Sequence, residues 1–185
     1  MDLFSSQGPE GKALSRQFAE ANKGWQKLKQ AEKLTEKFSS AFSDEGVNYK
    51  KLNTILENPA TRKLAEQSMG KDQSSLLREI SRVGRDVQGL GKRMETLGRQ
   101  GGLSVSAIAG MWGLLTLDPV LLGKSLVGFG SKSVKQNLAN KMLLDPEYQN
   151  LILKGMQAVK RGSATELANV ASRLESDFDI QFAED

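Results

Sequence analysis

Residues 101–130 form the apolar block that most constrains how this chain folds. The block reads GGLSVSAIAGMWGLLTLDPVLLGKSLVGFG, and Asp118 and Lys124 are its only charged residues. Lysine and arginine residues flank the block on both sides. Because water disfavours an apolar surface of this extent, the block must be covered by the chain's own fold, by a partner chain or by a lipid bilayer.

The break at Asp118-Pro119 predicts two short helices rather than one long one. As a helix, the arm 103–117 would span about 22 Å, whereas the hydrocarbon core of a bilayer is about 30 Å thick. This length favours a helical hairpin, residues 103–130, at the centre of a helical bundle. Conditional insertion into an anionic membrane is the alternative. The hairpin residues predicted to be buried or membrane-active are Leu103, Ile108, Trp112, Leu115, Leu121, Leu122, Leu126 and Phe129.

Composition excludes several kinds of chemistry. The chain contains neither cysteine nor histidine, so disulfides, thiolate nucleophiles, imidazole bases and zinc sites of the Cys/His type are impossible. Gly123-Lys124-Ser125 resembles the end of a phosphate-binding loop, but Asp118 stands where that motif needs its first glycine. We therefore expect no catalytic residue, no cofactor and no metal, and predict that the protein is not an enzyme.

The segment 12–42 is predicted to be one long amphipathic helix. Leu14, Phe18, Ala21, Trp25 and Leu28 alternate at spacings of four and three, which is the spacing of a coiled-coil seam.

A second heptad pattern covers residues 72–100, and glycine follows an apolar position three times at intervals of seven. Interior glycines disfavour a helix by about 1 kcal/mol each relative to alanine, so their register indicates that a neighbouring backbone approaches closely. We interpret the pattern as a coiled-coil-like hairpin with residues 12–42, and alternatively as a docking face for another chain or copy. This helix-docking face comprises Ile80, Val83, Gly84, Val87, Leu90, Gly91, Met94, Leu97 and Gly98.

Basic residues recur on one side of the same segment, at Arg78, Arg85, Lys92 and Arg99. Such a row can contact phosphates, although acidic neighbours make a solvated, ion-paired face the alternative. The chain has a formal net charge of +4, and residues 163–185 form an acidic tail. Nucleic acid and anionic membranes are therefore candidate partners beside protein.

The predicted fold class is all-α. Residues 1–101 are expected to form long amphipathic helices in the coiled-coil-like hairpin, and residues 102–185 a compact helical part with the central apolar hairpin. Asn58-Pro59, Asp118-Pro119 and Asp145-Pro146 are predicted helix starts, because Asn and Asp cap helices and proline suits the first helical position.

Several segments together resemble the helical regions of bacteriophage internal virion and DNA-ejection proteins. They are AEANKGWQKLKQAEKLTEKF, YKKLNTILENPATRKLAEQ, GGLSVSAIAGMWGLL and LLDPEYQNLILKGMQAV. The resemblance covers most of residues 10–160. It consists of long basic helices, two Asx-Pro helix starts and a hairpin rich in Gly, Ala and Leu. It implies an all-helical, multimeric protein that contacts DNA or membrane during genome delivery.

The expected function is that of a non-enzymatic, virion-associated assembly or ejection component that self-associates through helices, most simply as a homo-oligomer. Alternatives are a soluble helical adaptor for a protein partner and a DNA-binding protein that uses the basic row. The polar residues 1–11 carry no secretory signal. We therefore expect the virion or the host cytoplasm for a phage protein, and the cytoplasm otherwise.

Overall fold

Helices make up nearly all the regular structure, so the expectation of an all-α fold is confirmed. The computed structural model describes residues 8–43, 46–125, 141–142 and 145–183. Two short strands, β1 (Phe42–Ser43) and β2 (Gly46–Val47), pair antiparallel. The helices are α1 (Gly8–Ser39), α2 (Tyr49–Glu57), α3 (Pro59–Met69), α4 (Lys71–Val87), α5 (Gly91–Gln100), α6 (Val105–Thr116), α7 (Pro119–Ser125), α8 (Pro146–Arg161) and α9 (Ala164–Phe178).

The three Asx-Pro dipeptides begin helices, as predicted. The Asn58 side chain accepts hydrogen bonds from the backbone N–H groups of Ala60 and Thr61 at 3.0 and 3.2 Å. Asp118 and Asp145 accept two backbone hydrogen bonds each in the same way. Each side chain satisfies donors that the first turn of a helix leaves without an intrahelical partner.

Helix α1 runs as one element through most of the segment predicted for it. Among the side chains of α1 that the structure describes, those of the C-terminal part enter the core, where Leu34 and Phe38 are buried together with Ala41, which follows the helix. This part of the molecule packs mainly on α3. The predicted hairpin between residues 12–42 and 72–100 is therefore not confirmed.

The segment 72–100 forms two helices rather than one. Helix α4 ends at Val87 and α5 begins at Gly91. Gly89, between the two helices, has no side chain. Its neighbour Gln88 donates a hydrogen bond from Nε2 to the carbonyl oxygen of Val47 at 2.9 Å. The heptad continues through this break, because Val87 at the end of α4 and Met94 on α5 are seven residues apart. The sequence pattern alone therefore does not indicate the break.

The core is built around α8. Helix α8 packs against α4 on one side and α9 on the other, and α6 packs against α5, α7 and α8. Buried residues on both sides of Gly101 belong to one hydrophobic cluster, which runs from Leu34 to Ile180. The predicted division into residues 1–101 and 102–185 therefore runs through a continuous core.

The apolar block folds as two helices, α6 and α7, as far as the structure describes it. The turn between them begins at buried Leu117, which adopts a left-handed conformation with φ of 51°. Gly46 of β2 lies against this turn. A Cβ on Gly46 would lie 2.7 Å from the carbonyl oxygen of Thr116, and its φ of +109° also favours glycine.

Residues 180–183 cross this helix pair. Ile180 is buried, and the backbone N–H of Ala183 donates to the carbonyl oxygen of Ser125 at 2.8 Å. The ring of Phe182 lies so close to Gly110 that a Cβ there would be 2.5 Å from it. In the part of the chain that the structure describes, no helix is long and apolar enough to cross a membrane.

Candidate functional site

The predicted helix-docking face lies inside the protein. Ile80, Val87, Met94 and Leu97 are almost fully buried, and Val83 and Leu90 are partly buried against the core. The chain's own helices therefore cover the surface that was expected to receive another chain.

The three glycines of the heptad pattern, Gly84, Gly91 and Gly98, lie against two different helices. A Cβ on Gly84 would lie 2.6 Å from the ring of Tyr49 on α2, and one on Gly98 would lie 2.4 Å from Ile108 on α6. At Gly91 the nearest atom, on Trp112 of α6, would be 3.6 Å away, which is ordinary contact. Close neighbours are thus present at Gly84 and Gly98, but they are side chains of α2 and α6 and not the neighbouring backbone that the sequence pattern was taken to indicate.

The basic row is partly engaged in ion pairs. Arg99 pairs with Glu95 at 2.8 Å and Arg85 with Asp86 at 3.4 Å. Arg78 is half-buried, and its Nε atom has no hydrogen-bond partner within the described ranges. The fourth member, Lys92, is exposed on α5.

Asp86 also connects two helices of the core. It accepts a hydrogen bond from Lys160 of α8 at 2.7 Å, which, with the nearby charges, holds the pKa of the Asp86 carboxyl below its usual range. The acidic neighbours noted in the sequence therefore do contact basic side chains, as the solvated interpretation expects.

The predicted hairpin residues are mostly sheltered. Ile108, Leu115 and Leu122 are buried, and the remaining described members, Leu103, Trp112 and Leu121, are partly exposed. Leu126 and Phe129 lie outside the described residues. The described part of the block is thus covered by this chain, which is the first of the three possibilities that its composition allows.

Two tyrosines provide the most strongly perturbed titratable groups. Burial raises the pKa of the Tyr49 phenol far above its ordinary value, and Tyr148 adds to the rise. Burial likewise raises the pKa of Tyr148. The Tyr49 hydroxyl donates to the carbonyl oxygen of Leu115 near the end of α6. Both groups lie within the core, and each side chain is almost completely buried.

An apolar stripe of large side chains on α1 is exposed to water. Phe18 is 62% exposed, Trp25 58% and Leu14 52%, and Ala21 between them is also exposed. We call these four residues the α1 stripe. Large side chains of this kind are enriched at protein–protein interfaces, and a contiguous exposed set is uncommon on a monomer.

The chain holds this part of α1 as a helix away from the core. Lys29 pairs with Glu32 at 2.8 Å and lies 5.0 Å from the centre of the Trp25 ring. Leu34 is the first buried residue of α1 that the structure describes. The stripe thus lies on a helical segment that is anchored at one end.

The seam spacing of the stripe was visible in the sequence, but the neighbour predicted for it is not confirmed. The four-three alternation predicts that the face is covered, and the helix expected to cover it, 72–100, is buried elsewhere. The spacing predicts that a helix face is suited to burial, whereas the element that would cover the face depends on the tertiary arrangement.

Comparisons with protein-family models, with curated proteins and with solved structures find no match to this chain. Among the residues that the structure describes, no group of three or more acidic side chains is arranged to hold a metal ion. Function is therefore inferred from the geometry and charge of the described surfaces.

Proposed function

We propose that this chain is a non-enzymatic, virion-associated assembly or ejection component that works through helix–helix self-association. The single observation that carries the proposal is the α1 stripe. Its large side chains follow coiled-coil spacing and remain in water, whereas the corresponding apolar positions on α4 and α5 are buried. Association would remove the stripe from water.

Burial of the stripe would favour association. Complete burial of a side chain such as Phe18 is worth roughly 1.5–3 kcal/mol, and a symmetric contact contributes each side chain twice. The α1 segment is already helical in the structure, so pairing does not have to fold it from a disordered chain.

The test is a concentration series of the full chain by sedimentation velocity. We expect reversible association in the original chain. Replacement of Phe18 and Trp25 by glutamine, a good helix former, should weaken the association at least ~100-fold, because four large side chains per pair lose their apolar contact.

Val120→Gln is the matched control, since Val120 is 59% exposed on α7, away from the stripe. We expect this variant to associate like the original chain. A strict monomer over the whole concentration range would contradict the proposed function.

Contact with DNA or an anionic membrane during genome delivery belongs to the same proposal. The basic row supports it weakly, because Arg85 and Arg99 already form ion pairs and each phosphate contact needs an available cation. Flotation with liposomes, with and without anionic lipid, and DNA binding at low and high salt test these contacts. Absence of binding at low salt would remove them from the proposal.

A further inference from the structure

The side chains of the α1 stripe alternate between larger and smaller ones. This alternation restricts how the stripe can pack against another helix. In heptad terms Phe18 and Trp25 occupy one seam position, and Leu14 and Ala21 occupy the other. Large aromatic residues therefore alternate along the helix with one medium and one small aliphatic residue.

We propose that α1 pairs with α1 of a second copy that runs in the opposite direction, about a two-fold axis beside residues 19 and 20. This inference rests on the proposed self-association. In the reversed pair Phe18 lies opposite the partner's Ala21, and Trp25 lies opposite the partner's Leu14. Each layer of the seam then combines a larger and a smaller side chain, which is how well-packed layers fill space.

A parallel pair would pack less well. It would place Phe18 against its own copy and Trp25 against its own copy, while Ala21 would face Ala21. Aromatic layers would be overfilled and the alanine layer underfilled, and both defects are destabilising.

The charges beside the stripe favour a second copy over an acidic partner. The central flanking positions are Ser15, Gln17 and Asn22, which are uncharged. The basic residues Lys12 and Lys23 lie on the opposite side of the helix, since they are about half a turn away from the seam. Two copies of this basic helix can therefore approach without opposing like charges at the centre of the contact.

The position at which α1 enters its own core fits the same pairing. A two-fold axis beside residues 19 and 20 makes residues 8–31 overlap with their copies, and α1 begins at Gly8. The overlap ends just before Leu34, where α1 enters its own core. The pair thus ends before Leu34, the first residue of α1 that is described as buried in its own core.

Reversed pairing would give a dimer with one globular core at each end. Each α1 is anchored in its core from Leu34 onward, so the cores lie at opposite ends of the paired helices, roughly 40 Å apart along the axis. A parallel pair would instead hold both cores at one end. The reversed arrangement suits a component that links two separate sites of an assembly.

Spin-label distances on the full chain test the direction. The chain contains no cysteine, so Lys12→Cys and Lys23→Cys each give one label per copy, on the outer side of the helix. Reversed pairing separates the two labels along the axis by ~22 Å at position 12 and by ~10 Å at position 23. The expected result is a longer distance for the Lys12→Cys variant, and addition of Phe18→Gln and Trp25→Gln should abolish both distances.

Equal distances at positions 12 and 23 in an associated sample would overturn reversed pairing and leave the proposed self-association intact. Persistence of both distances after the two glutamine replacements would also overturn it, because the contact would then lie elsewhere. Monomers at every concentration would instead contradict the proposed function itself. Val120→Gln is the control that should preserve both distances.

Discussion

At the scale of single residues, two of the heptad glycines are required by their neighbours. We expect Gly84→Ala and Gly98→Ala each to lower the free energy of unfolding by about 1–3 kcal/mol, because the added methyl group meets Tyr49 or Ile108 at less than contact distance. Urea denaturation followed by circular dichroism measures the effect.

Gly91→Ala is the matched control for both variants. Its added methyl group would meet Trp112 at an ordinary 3.6 Å, and alanine is a better helix former than glycine. We expect this variant to be as stable as the original chain or more stable. Equal destabilisation by all three replacements would show that the glycines act through the backbone and not through close packing.

Removal of the hydroxyl group should change the free energy of unfolding differently at the two buried tyrosines. Tyr49→Phe leaves the carbonyl of Leu115 without its donor, and we expect a loss of about 1–3 kcal/mol in unfolding free energy. The Tyr148 hydroxyl is buried and has no hydrogen-bond partner in the described part of the chain, so Tyr148→Phe should be neutral or stabilising. Thermal melts of the two variants at pH 7 check the contrast, and equal losses would contradict it.

These residue roles were only partly predictable from the sequence. The register of Gly84 and Gly98 indicates a close approach, because an interior glycine otherwise weakens a helix. The partner ring of Tyr49 comes from a helix about one-fifth of the chain away, and no local pattern links the two positions. Side-chain pairs of this kind arise only when the helices are packed.

At the scale of helices, the Asx-Pro caps define where elements begin. Asn58 also helps to end α2, since its backbone N–H donates to the carbonyl oxygen of Ile55. We expect Asn58→Ala to lower the free energy of unfolding by about 0.5–2 kcal/mol, because two backbone donors of α3 lose their acceptor.

Asn169→Ala, at an exposed interior position of α9, is the control for the cap. The same side chain is removed there, and alanine is the better helix former, so stability should hold or rise slightly. Chemical denaturation of the two variants gives the comparison. A loss at position 169 as large as that at position 58 would refute the capping role.

Helix starts were predictable because a cap depends on two adjacent residues. The break between α4 and α5 was not, since apolar residues continue the heptad across it and only Gly89 and Gly91 hint at a stop. The structure resolves the ambiguity through tertiary contacts, among them the hydrogen bond from Gln88 to Val47. Local propensity is a weak guide where packing decides.

At the scale of the whole molecule, the buried tyrosines make stability sensitive to alkali. Unfolded tyrosine ionises near pH 10, whereas burial raises the pKa of Tyr49 and of Tyr148 well above that value. Above pH 10 the unfolded chain loses these protons and the folded chain keeps them, so stability falls as pH rises. Each tyrosine contributes up to about 1.4 kcal/mol per pH unit.

Urea denaturation at several values between pH 8 and pH 11.5 measures this dependence. Lysine also titrates in this range, so Tyr148→Phe is the informative comparison, and it should show a shallower fall above pH 10 than the original chain. An unchanged slope would mean that Tyr148 reaches water in the folded protein.

The whole-molecule prediction that succeeded was helical class, and the one that was not confirmed was the pairing of faces. Apolar periodicity at Leu14 and Phe18 indicates that a side of α1 is suited to burial, but many helices of the chain carry an apolar side. Which sides meet depends on how all the helices fill one core together, and that is a property of the complete fold.

Residues 180–183 also influence how the protein is made. During translation Gly110 leaves the ribosome long before Phe182, the residue that covers it in the native fold. Until that later segment emerges, the apolar surface of α6 around Gly110 lacks the side chain that covers it in the native fold. Synthesis therefore includes an interval in which this surface can be bound by a chaperone or can aggregate, and arrival of the Ile180–Ala183 segment closes that interval.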